Sequence, residues 1–310
     1  MRFRESIENY GLSVVVPTLN GREELAGCLD ALAEHVPSAE VIVVNGPSAD
    51  GTTGMVQDRD DVSVLVEIAD RSVNVARNAG IDRATGDVVA LVNQGLSVED
   101  GWFGAIRDAF DGACNVVTGP THHQLRAGMT TETKESRSIV GRTVTYFNPG
   151  NVAIETDVLT TLDGFDEYLD VGGARDFAHR LAGTGYDVTW DTDMSVSREF
   201  EADGGMMETD WRWKYRSLSY RLVKNYGVRP TIAWRIGSHA VSDALSAMKD
   251  VARGDAAPSE WFSNGRDVLE GLRTGGQDGV AARVRDRSSR RNPNGRSKRA
   301  DRAVAVYDWR

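Results

Sequence analysis

Leu12-Ser13-Val14-Val15-Val16-Pro17-Thr18-Leu19-Asn20-Gly21 is the stretch on which the fold turns. Leu12 to Val16 are apolar or small and mostly β-branched, the composition of a strand buried on both faces of a parallel sheet. Pro17 has no N–H to give a neighbouring strand, so the strand is expected to stop there. Thr18 and Asn20 then occupy the loop at its carboxyl end, ahead of a helix. In open α/β sheets that is where ligands bind.

Outward from this point the chain alternates. Leu25, Cys28, Leu29 and Leu32 recur at helical spacing over residues 23–32. Residues 40–44 predict a second strand, and 45–52 a turn-rich loop in which Asp50 is a candidate helix cap. A third strand is expected at 62–66, then a helix from Ser72 bearing Val75, Ala76, Ala79 and Ile81, ended by Gly86. Residues 87–92 predict a fourth strand that leads into Asn93-Gln94-Gly95. A helix at 101–110 and a strand at 115–118 follow. This alternation means βαβ units, an α/β fold and a mostly parallel, Rossmann-like sheet. The strand ends bring Thr18, Asn45, Val66-Glu67 and Asn93 to one edge, a bed for a nucleotide. No GxxxxGK[ST] or GxGxxG follows a strand, which argues against P-loop and dehydrogenase chemistry.

Residues 121–142 are polar and Thr-rich and read as a loop. Beyond them come Phe147–Ile154, Gly164-Phe165-Asp166-Glu167, an amphipathic helix near 176–182 and a last strand at 186–190. From Thr209 the pattern is helical, with Trp211, Trp213, Tyr215, Leu218 and Leu222 near one stripe and a second helix over 230–253. Two domains are therefore expected: an α/β domain at 1–205 and a helical, basic C-terminal extension at 206–310.

The 310 residues carry a net charge of −10, with 46 acids against 36 basic residues, of which only Lys134, Lys214, Lys224, Lys249 and Lys298 are lysines. Dense carboxylates and few lysines resemble the surfaces of salt-adapted archaeal proteins, where screening is strong; GC-rich codon usage is the other reading. Residues 281–310 reverse the balance, with ten Arg or Lys against three Asp. Such a tail calls for an anionic partner surface, and lipid head groups fit it. Nucleic acid is not expected, because the remainder is acidic and shows no nucleic-acid module. Trp211-Arg212-Trp213-Lys214-Tyr215-Arg216 reads equally as a segment at a membrane interface and as a packed helix. No apolar run of about 18 residues is present to span a bilayer, and Met1–Tyr10 lacks the apolar core of a secretory signal. Cys28 and Cys114 are far apart, without metal-ligand spacing, and read as free thiols. The expected location is cytoplasmic, with peripheral attachment to the inner face of the cell membrane the further option.

Val14–Asn20, Ser48–Thr52, Ala76-Arg77-Asn78-Ala79-Gly80, Gly86-Asp87, Gly150-Asn151-Val152-Ala153 and Gly164–Glu167 together resemble the family 2 glycosyltransferases. The resemblance implies a GT-A fold, a nucleotide-sugar donor and inversion at the anomeric carbon. It places Thr18 and Asn20 beside the nucleoside, Arg77 at the base or diphosphate, and Asn151 on the sugar side. Asn45, Asp50 and Asn93 complete the candidate donor-binding set. Physically, a diphosphate calls for a persistent cation, and Arg77 at a strand-end helix supplies one; a solvated helix residue is the plain alternative. For Asn151 the alternative is a simple turn residue.

The chain departs from the family at its acids. Asn45-Gly46 stands where an acid pair follows the second strand, and Asn93-Gln94-Gly95 where the metal-binding Asp-x-Asp is expected. Gly173-Ala174 replaces the catalytic Glu-Asp pair, and Ser197-Arg198-Glu199 occupies the place of a metal-side His. Neutral Asn and Gly ligate Mg²⁺ or Mn²⁺ weakly or not at all, so no residue is assigned to a metal. Candidate general bases are Asp176, Asp166 and Glu167, and Asp176 also reads as a helix acid paired with Arg180 at i+4. Composition and extension resemble haloarchaeal glycosyltransferases of S-layer glycoprotein N-glycosylation, including those that add hexuronic acid to dolichol phosphate. The expected function is sugar transfer from a nucleotide-sugar to such a lipid-linked glycan. The alternative is a catalytically degenerate GT-A protein that serves the same pathway as a binding or scaffold partner.

Overall fold

The structure, a computed structural model, describes residues 11–112, 114–125, 128–198, 210–253 and 257–310. The chain divides into two compact units. The first comprises Met1–Arg137, Thr143–Gly204 and Asn294–Arg310; the second comprises Ser138–Arg142 and Gly205–Pro293.

The first unit opens with β1 (Leu12–Thr18), buried at every position. Its ladder runs one residue beyond Pro17, because β1 lies inside the sheet with β2 and β4 on either side and Pro17 pairs with Val44. Helix α1 (Arg22–His35) buries Leu25, Cys28, Leu29 and Leu32 and leads to β2 (Glu40–Asn45). The short α2 (Thr52–Gln57) precedes β3 (Val64–Ile68), which starts two residues later than its pattern predicts. Then follow α3 (Val73–Ile81), β4 (Val88–Val92), β5 (Ser97–Val98), α4 (Trp102–Asp111) and β6 (Val116–Thr118). The stretch expected to be loop instead holds β7 (Thr121–Leu125), β8 (Gly128–Thr131), β9 (Ser136–Ile139) and β10 (Arg142–Thr145). Strand β11 (Asn151–Glu155), helices α5 (Thr156–Thr161) and α6 (Gly173–Thr184), β12 (Val188–Trp190) and β13 (Val196–Arg198) complete the central part.

Among the described residues the main sheet has eight strands, in the order β12-β6-β11-β4-β1-β2-β3-β14, where β14 is Ala303–Asp308. The inner pairings β4-β1-β2-β3 are parallel, whereas β11 and β14 run antiparallel to their neighbours. Thr18 stands in register with Asn45, and Asn45 with Glu67, so the strand ends do form one edge. A second sheet orders β5-β13-β7-β8, and β9 pairs with β10.

The second unit is helical: α7 (Trp211–Tyr226), α8 (Pro230–Arg253) and α9 (Pro258–Arg285). Helices α7 and α9 approach through Gly271, Gly275 and Gly279, spaced one turn apart. A Cβ on Gly275 would lie 2.1 Å from Arg216 O, and one on Gly271 2.3 Å from Arg212 O. Backbone therefore meets backbone along this seam, and no side chain fits between. Arg283 Nη1 donates to the carbonyls of Lys224 (2.9 Å) and Asn225 (3.1 Å), a cation closing the carboxyl end of α7. Among the described residues no helix is long and apolar enough to cross a membrane.

The expected boundary at 205/206 lies outside the described residues. The expectation of a helical extension reaching residue 310 is corrected: residues 294–310 belong to the first unit, where β14 closes the sheet beside β3. Part of the basic tail is paired within the protein, while Arg285, Arg287 and Lys298 stay exposed. Arg296 pairs with Asp82, Arg299 with Asp70 and Glu167, Arg302 with Asp82 and Glu167, and Arg310 with Glu40. These guanidinium groups neutralise carboxylates of their own unit and do not form a free cationic patch.

Candidate functional site

Two clefts open in the first unit, and Val73 lines both. The first, of about 730 Å³, is a ligand-sized volume. Its walls are the carboxyl end of β1 (Pro17, Thr18, Leu19), the entry to α3 (Asp70, Arg71, Ser72), the segment Asn93-Gln94-Gly95 after β4, and Arg198 at the end of β13. Sequence makes this place for a physical reason: parallel strands end together, and their loops leave backbone groups open at one edge.

The loops are tied to one another before any ligand arrives. Asn20 sits in the left-handed region at φ 49 and accepts from Ala49 N (2.8 Å) through Oδ1, while its own N–H donates to Ser48 Oγ (2.9 Å). Asp50 accepts from Arg22 N (3.0 Å) and Thr52 N (3.1 Å), and the Thr52 hydroxyl with these bonds holds its carboxyl below the usual carboxylate range. Gln94 Oε1 accepts from Leu19 N (2.9 Å) and leans over Gly21, where a Cβ would lie 1.9 Å from its amide nitrogen. Any larger residue than glycine at position 21 would displace Gln94.

Buried polar atoms point to what the cleft lacks. Thr18 Oγ1, Ser72 Oγ and Arg198 Nε, all on residues that line it, are buried with no hydrogen-bond partner among the described residues. Buried polar groups of this kind are ordinarily satisfied, so three on the lining of one cleft make it the candidate site. The first N–H groups of α3 also lack intrahelical partners and present the positive end of the helix dipole.

The second cleft, of about 550 Å³, is walled by Asn74 and Arg77 of α3, Glu132, Glu135, Tyr146, Asn148 and Pro149, and by the segment from Asp170 to Arg175 that opens α6. Arg77 is 5% exposed, and burial pushes its guanidinium down to about 10. It donates to Asn74 Oδ1 (3.2 Å) and Pro149 O (3.1 Å) and stands 5.3 Å from the centre of the Phe165 ring, while its Nε is unpartnered. Arg175 lies over the Tyr146 ring at 4.5 Å and donates to Glu135 (3.0 Å). Glu135 is also held by Arg137 (2.9 Å), and Glu132 accepts from Asn148 (3.0 Å). Asp170 is exposed and has no such partner among the described residues.

The expected site residues divide accordingly. Thr18 and Asn93 line the first cleft, and Arg77 the second. Asn20 and Asp50 lock the loops beside the first. Asn45 is 1% exposed, with its Oδ1 taken by Ser48 and its Nδ2 given to Thr53 (3.0 Å), so it shapes the β2 loop from behind. Asn151 is a correction: it is fully buried, accepts from Trp102 Nε1 (2.8 Å) and donates to Met194 O (2.7 Å). The three candidate bases are also corrected. Asp176 is fully buried against Arg180 at 2.9 Å. Asp166 is buried and accepts from Tyr168 N (3.0 Å) and Asn294 Nδ2 (3.2 Å). Glu167 is locked by Asn78, Arg299 and Arg302. None of the three lines either cleft. Their carboxylates are committed to holding the fold, because a buried carboxylate is tolerated only when paired. Asp170, Arg71, Ser72 and Tyr146 were outside the sequence expectation. Arg198 was visible only as the residue standing where a histidine was expected.

A divalent ion of the Mg²⁺ or Mn²⁺ type does not fit the first cleft. Gln94 Oε1 and both Asn45 amide atoms are already bonded, Asp70 accepts from Arg299 (3.1 Å), and two arginines share the walls. Among the described residues no group of three His, Cys, Asp or Glu is placed to hold a metal.

Comparison with known proteins bears on the chemistry. Residues 13–162 match the model of Glycosyl transferase family 2. Glycosyltransferase AglE of Haloferax volcanii is 24% identical over 236 residues, which cover 68% of this chain and 77% of that protein. Among solved structures, mannosyltransferase PcManGT from Pyrobaculum calidifontis, in complex with GDP-Man and Mn²⁺, superposes with a TM-score of 0.54 at 16% identity over 92% of this chain and 90% of that one. S. aureus TarS 1–349 superposes with a TM-score of 0.57 at 14% identity over 87% and 91%. The structural likenesses concern the fold, which is of the GT-A type, and the sequence matches concern the family. Residues 13–162, just under half of the chain, are therefore similar to glycosyl transferase family 2, and the likeness to the Haloferax protein extends over a longer stretch.

Proposed function

We propose that this glycosyltransferase moves a sugar from a nucleotide-sugar, with inversion at the anomeric carbon, onto a lipid-linked glycan on dolichol phosphate, and that the sugar is a hexuronic acid. The observation that carries the donor half is the first cleft, with its unpartnered Thr18 Oγ1, Ser72 Oγ and Arg198 Nε beneath the open end of α3. The acidic sugar is supported by Arg77: a buried guanidinium with no carboxylate beside it is costly unless an anion arrives. The lipid-linked acceptor and a role in cell-surface glycosylation are supported by the likeness to AglE and by the acid-rich, lysine-poor composition.

In this reading the acceptor hydroxyl oxygen attacks the anomeric carbon, and the bond from that carbon to the diphosphate oxygen breaks with its electron pair leaving on the diphosphate. The hydroxyl proton passes to Asp170, the carboxylate of the second cleft that no arginine or amide holds among the described residues. Arg175, stacked on Tyr146, offers donors and a flat face to the acceptor glycan. Peripheral attachment to an anionic membrane is supported by α8, whose Trp234, Val241, Leu245 and Met248 are all exposed.

The test is transfer from a panel of UDP- and GDP-sugars, hexuronic acids included, to dolichyl-phosphate glycans, with Asp170→Asn as the variant. Loss of a general base is expected to lower the rate by about 10²- to 10⁴-fold. If no donor is consumed by the wild-type protein, the enzyme reading fails and the scaffold reading takes its place.

A further inference from the structure

Resting on the donor reading of the first cleft, we propose that the arginine Arg198, assisted by Arg71, holds the donor's diphosphate in the place where relatives of this fold would employ a divalent ion. The disagreement between the residues present and a metal is the starting point. Where carboxylates would be needed, Asn93, Gln94 and Gly95 follow β4. Gln94 spends its carbonyl oxygen on Leu19 N.

What lines the cleft with them is a cation. Arg198 ends β13, which is pinned between β5 and β7, so the residue projects from sheet and not from loop. Its side chain lines the same cleft as Asn93 to Gly95, the β13–β5 register bringing Arg198 toward the residues that follow Gly95, and its Nε is buried without a partner among the described residues. No carboxylate lies within ion-pair distance of it among those residues. Arg71 lines the same cleft from the entry of α3 and is exposed. The acids in that lining are Glu24 and Asp70, and Asp70 is occupied by Arg299. Two guanidinium groups face one unengaged carboxylate, so the cleft attracts an anion and repels a cation.

The geometry suits a diphosphate for a further reason. The planar guanidinium presents paired N–H donors that match phosphate oxygens and keeps its charge at every accessible pH. The unpartnered hydroxyls of Thr18 and Ser72 and the free N–H groups opening α3 supply neutral donors beside it. When the bond from the anomeric carbon breaks, the electron pair leaves on the diphosphate, and Arg198 offsets that added negative charge without needing a second component. This role differs from that of Arg77, which lines the second cleft.

The experiment is calorimetric titration of the full chain with UDP and with GDP, in EDTA and again in Mn²⁺ or Mg²⁺, for wild type, Arg198→Ala, Arg198→Lys and Asn93→Ala. Binding to the wild type is expected in EDTA, with no gain from either metal. Arg198→Ala is expected to raise Kd by about 10- to 100-fold, the worth of a charge-assisted hydrogen-bonding group. Arg198→Lys is expected to recover part of that loss, and Asn93→Ala to leave metal response absent. Near-ultraviolet circular dichroism of each variant separates loss of binding from loss of fold. Binding that appears only with metal overturns this proposal and leaves the donor reading standing. Binding to a folded Arg198→Ala as tight as wild type overturns it as well. Absence of nucleotide binding under every condition overturns the donor reading and this proposal together.

Discussion

Arg302→Ala is the sharpest single probe of how the C-terminal strand is held. The Arg302 side chain is fully buried and makes ion pairs with Glu167 and Asp82, the latter at 2.7 Å, and its Nη2 donates to Arg296 O at 2.9 Å. Glu167 is itself only 5% exposed. Removing the guanidinium leaves a carboxylate in the interior, and breaking one side of a buried pair typically costs about 3–5 kcal/mol. Here Arg299 remains 3.0 Å from Glu167 and Asn78 donates at 2.8 Å, so the lower end, about 3 kcal/mol, applies. In a folding unit of this size each kcal/mol moves Tm by about 2–4 °C, which gives a fall of about 6–12 °C. Thermal melting followed by circular dichroism reads it directly. Arg310→Ala is the comparison: its side chain is 33% exposed and pairs with Asp308 at 43% and Glu40 at 13%, so no charge is stranded in the interior and a loss of about 1 kcal/mol is expected. Pairing Arg302→Met with Glu167→Leu is expected to restore part of the loss, since the cost lies in the stranded charge. A shift in Arg302→Ala no larger than in Arg310→Ala would mean that Glu167 does not depend on the Arg302 guanidinium.

Two further outcomes are expected. Gly275→Ala puts a methyl 2.1 Å from Arg216 O, so α7 and α9 must separate; a loss of about 1–3 kcal/mol in the second unit is expected, read as an earlier helical melting transition. Gly265→Ala, which meets nothing within 4 Å, serves as its control and is expected to be neutral or stabilising. For pH, burial pushes the Glu40 carboxyl up, but bonds from Ser13, Thr85 and Arg310 outweigh it and hold the group below its ordinary value of 4.5. A carboxyl with a depressed folded value contributes stability that is complete above that ordinary value and is lost as pH falls through the lower one. Glu40→Gln is therefore expected to flatten the acid limb of the stability profile, with no effect of pH on the difference near neutrality. An unchanged acid limb in chemical denaturation series would discard that assignment.

The parts of this molecule that local pattern determines were legible in its sequence. The run Leu12–Val16, the spacing of Leu25, Cys28, Leu29 and Leu32, and the alternation of strands with helices depend on neighbours a few residues away, and they led to the α/β sheet. Strands β7, β8 and β9 escaped because they are short and mostly polar, so their pattern carries little hydrophobic contrast. Strand β14 escaped for another reason: Ala303 to Tyr307 are apolar without alternation, with Val304 and Val306 on the exposed face, and the ten basic residues of 281–310 outweigh so short a run. The carboxylates show the limit most clearly. Asp166, Glu167 and Asp176 have the right chemistry for a base, and only their partners reveal them as structural. Arg180 lies four residues from Asp176 and was visible, whereas Arg302 reaches Glu167 from far along the chain. Arg198 could be named as an oddity but not as a cleft residue, since its place depends on three strands meeting.

The antiparallel closure of the main sheet by β14 bears on how the chain reaches its native state. Val66 pairs with Val306, so the last rung of the sheet waits on a segment separated from its partner by the rest of the α/β unit and by all of α7, α8 and α9. Joining such distant segments costs loop entropy and slows folding. The helical unit does not shorten this excursion: α7 and α9 run parallel, with Gly271 beside Arg212 and Arg283 bonded to Lys224, so the first residues of α7 and the last of α9 lie at opposite ends of the pair. Until β14 docks, β3 is an open edge of apolar strand beside the first cleft, the kind of surface that pairs with other chains. Shortening the chain from its carboxyl end by even this one strand is thus expected to yield association before it yields a smaller enzyme.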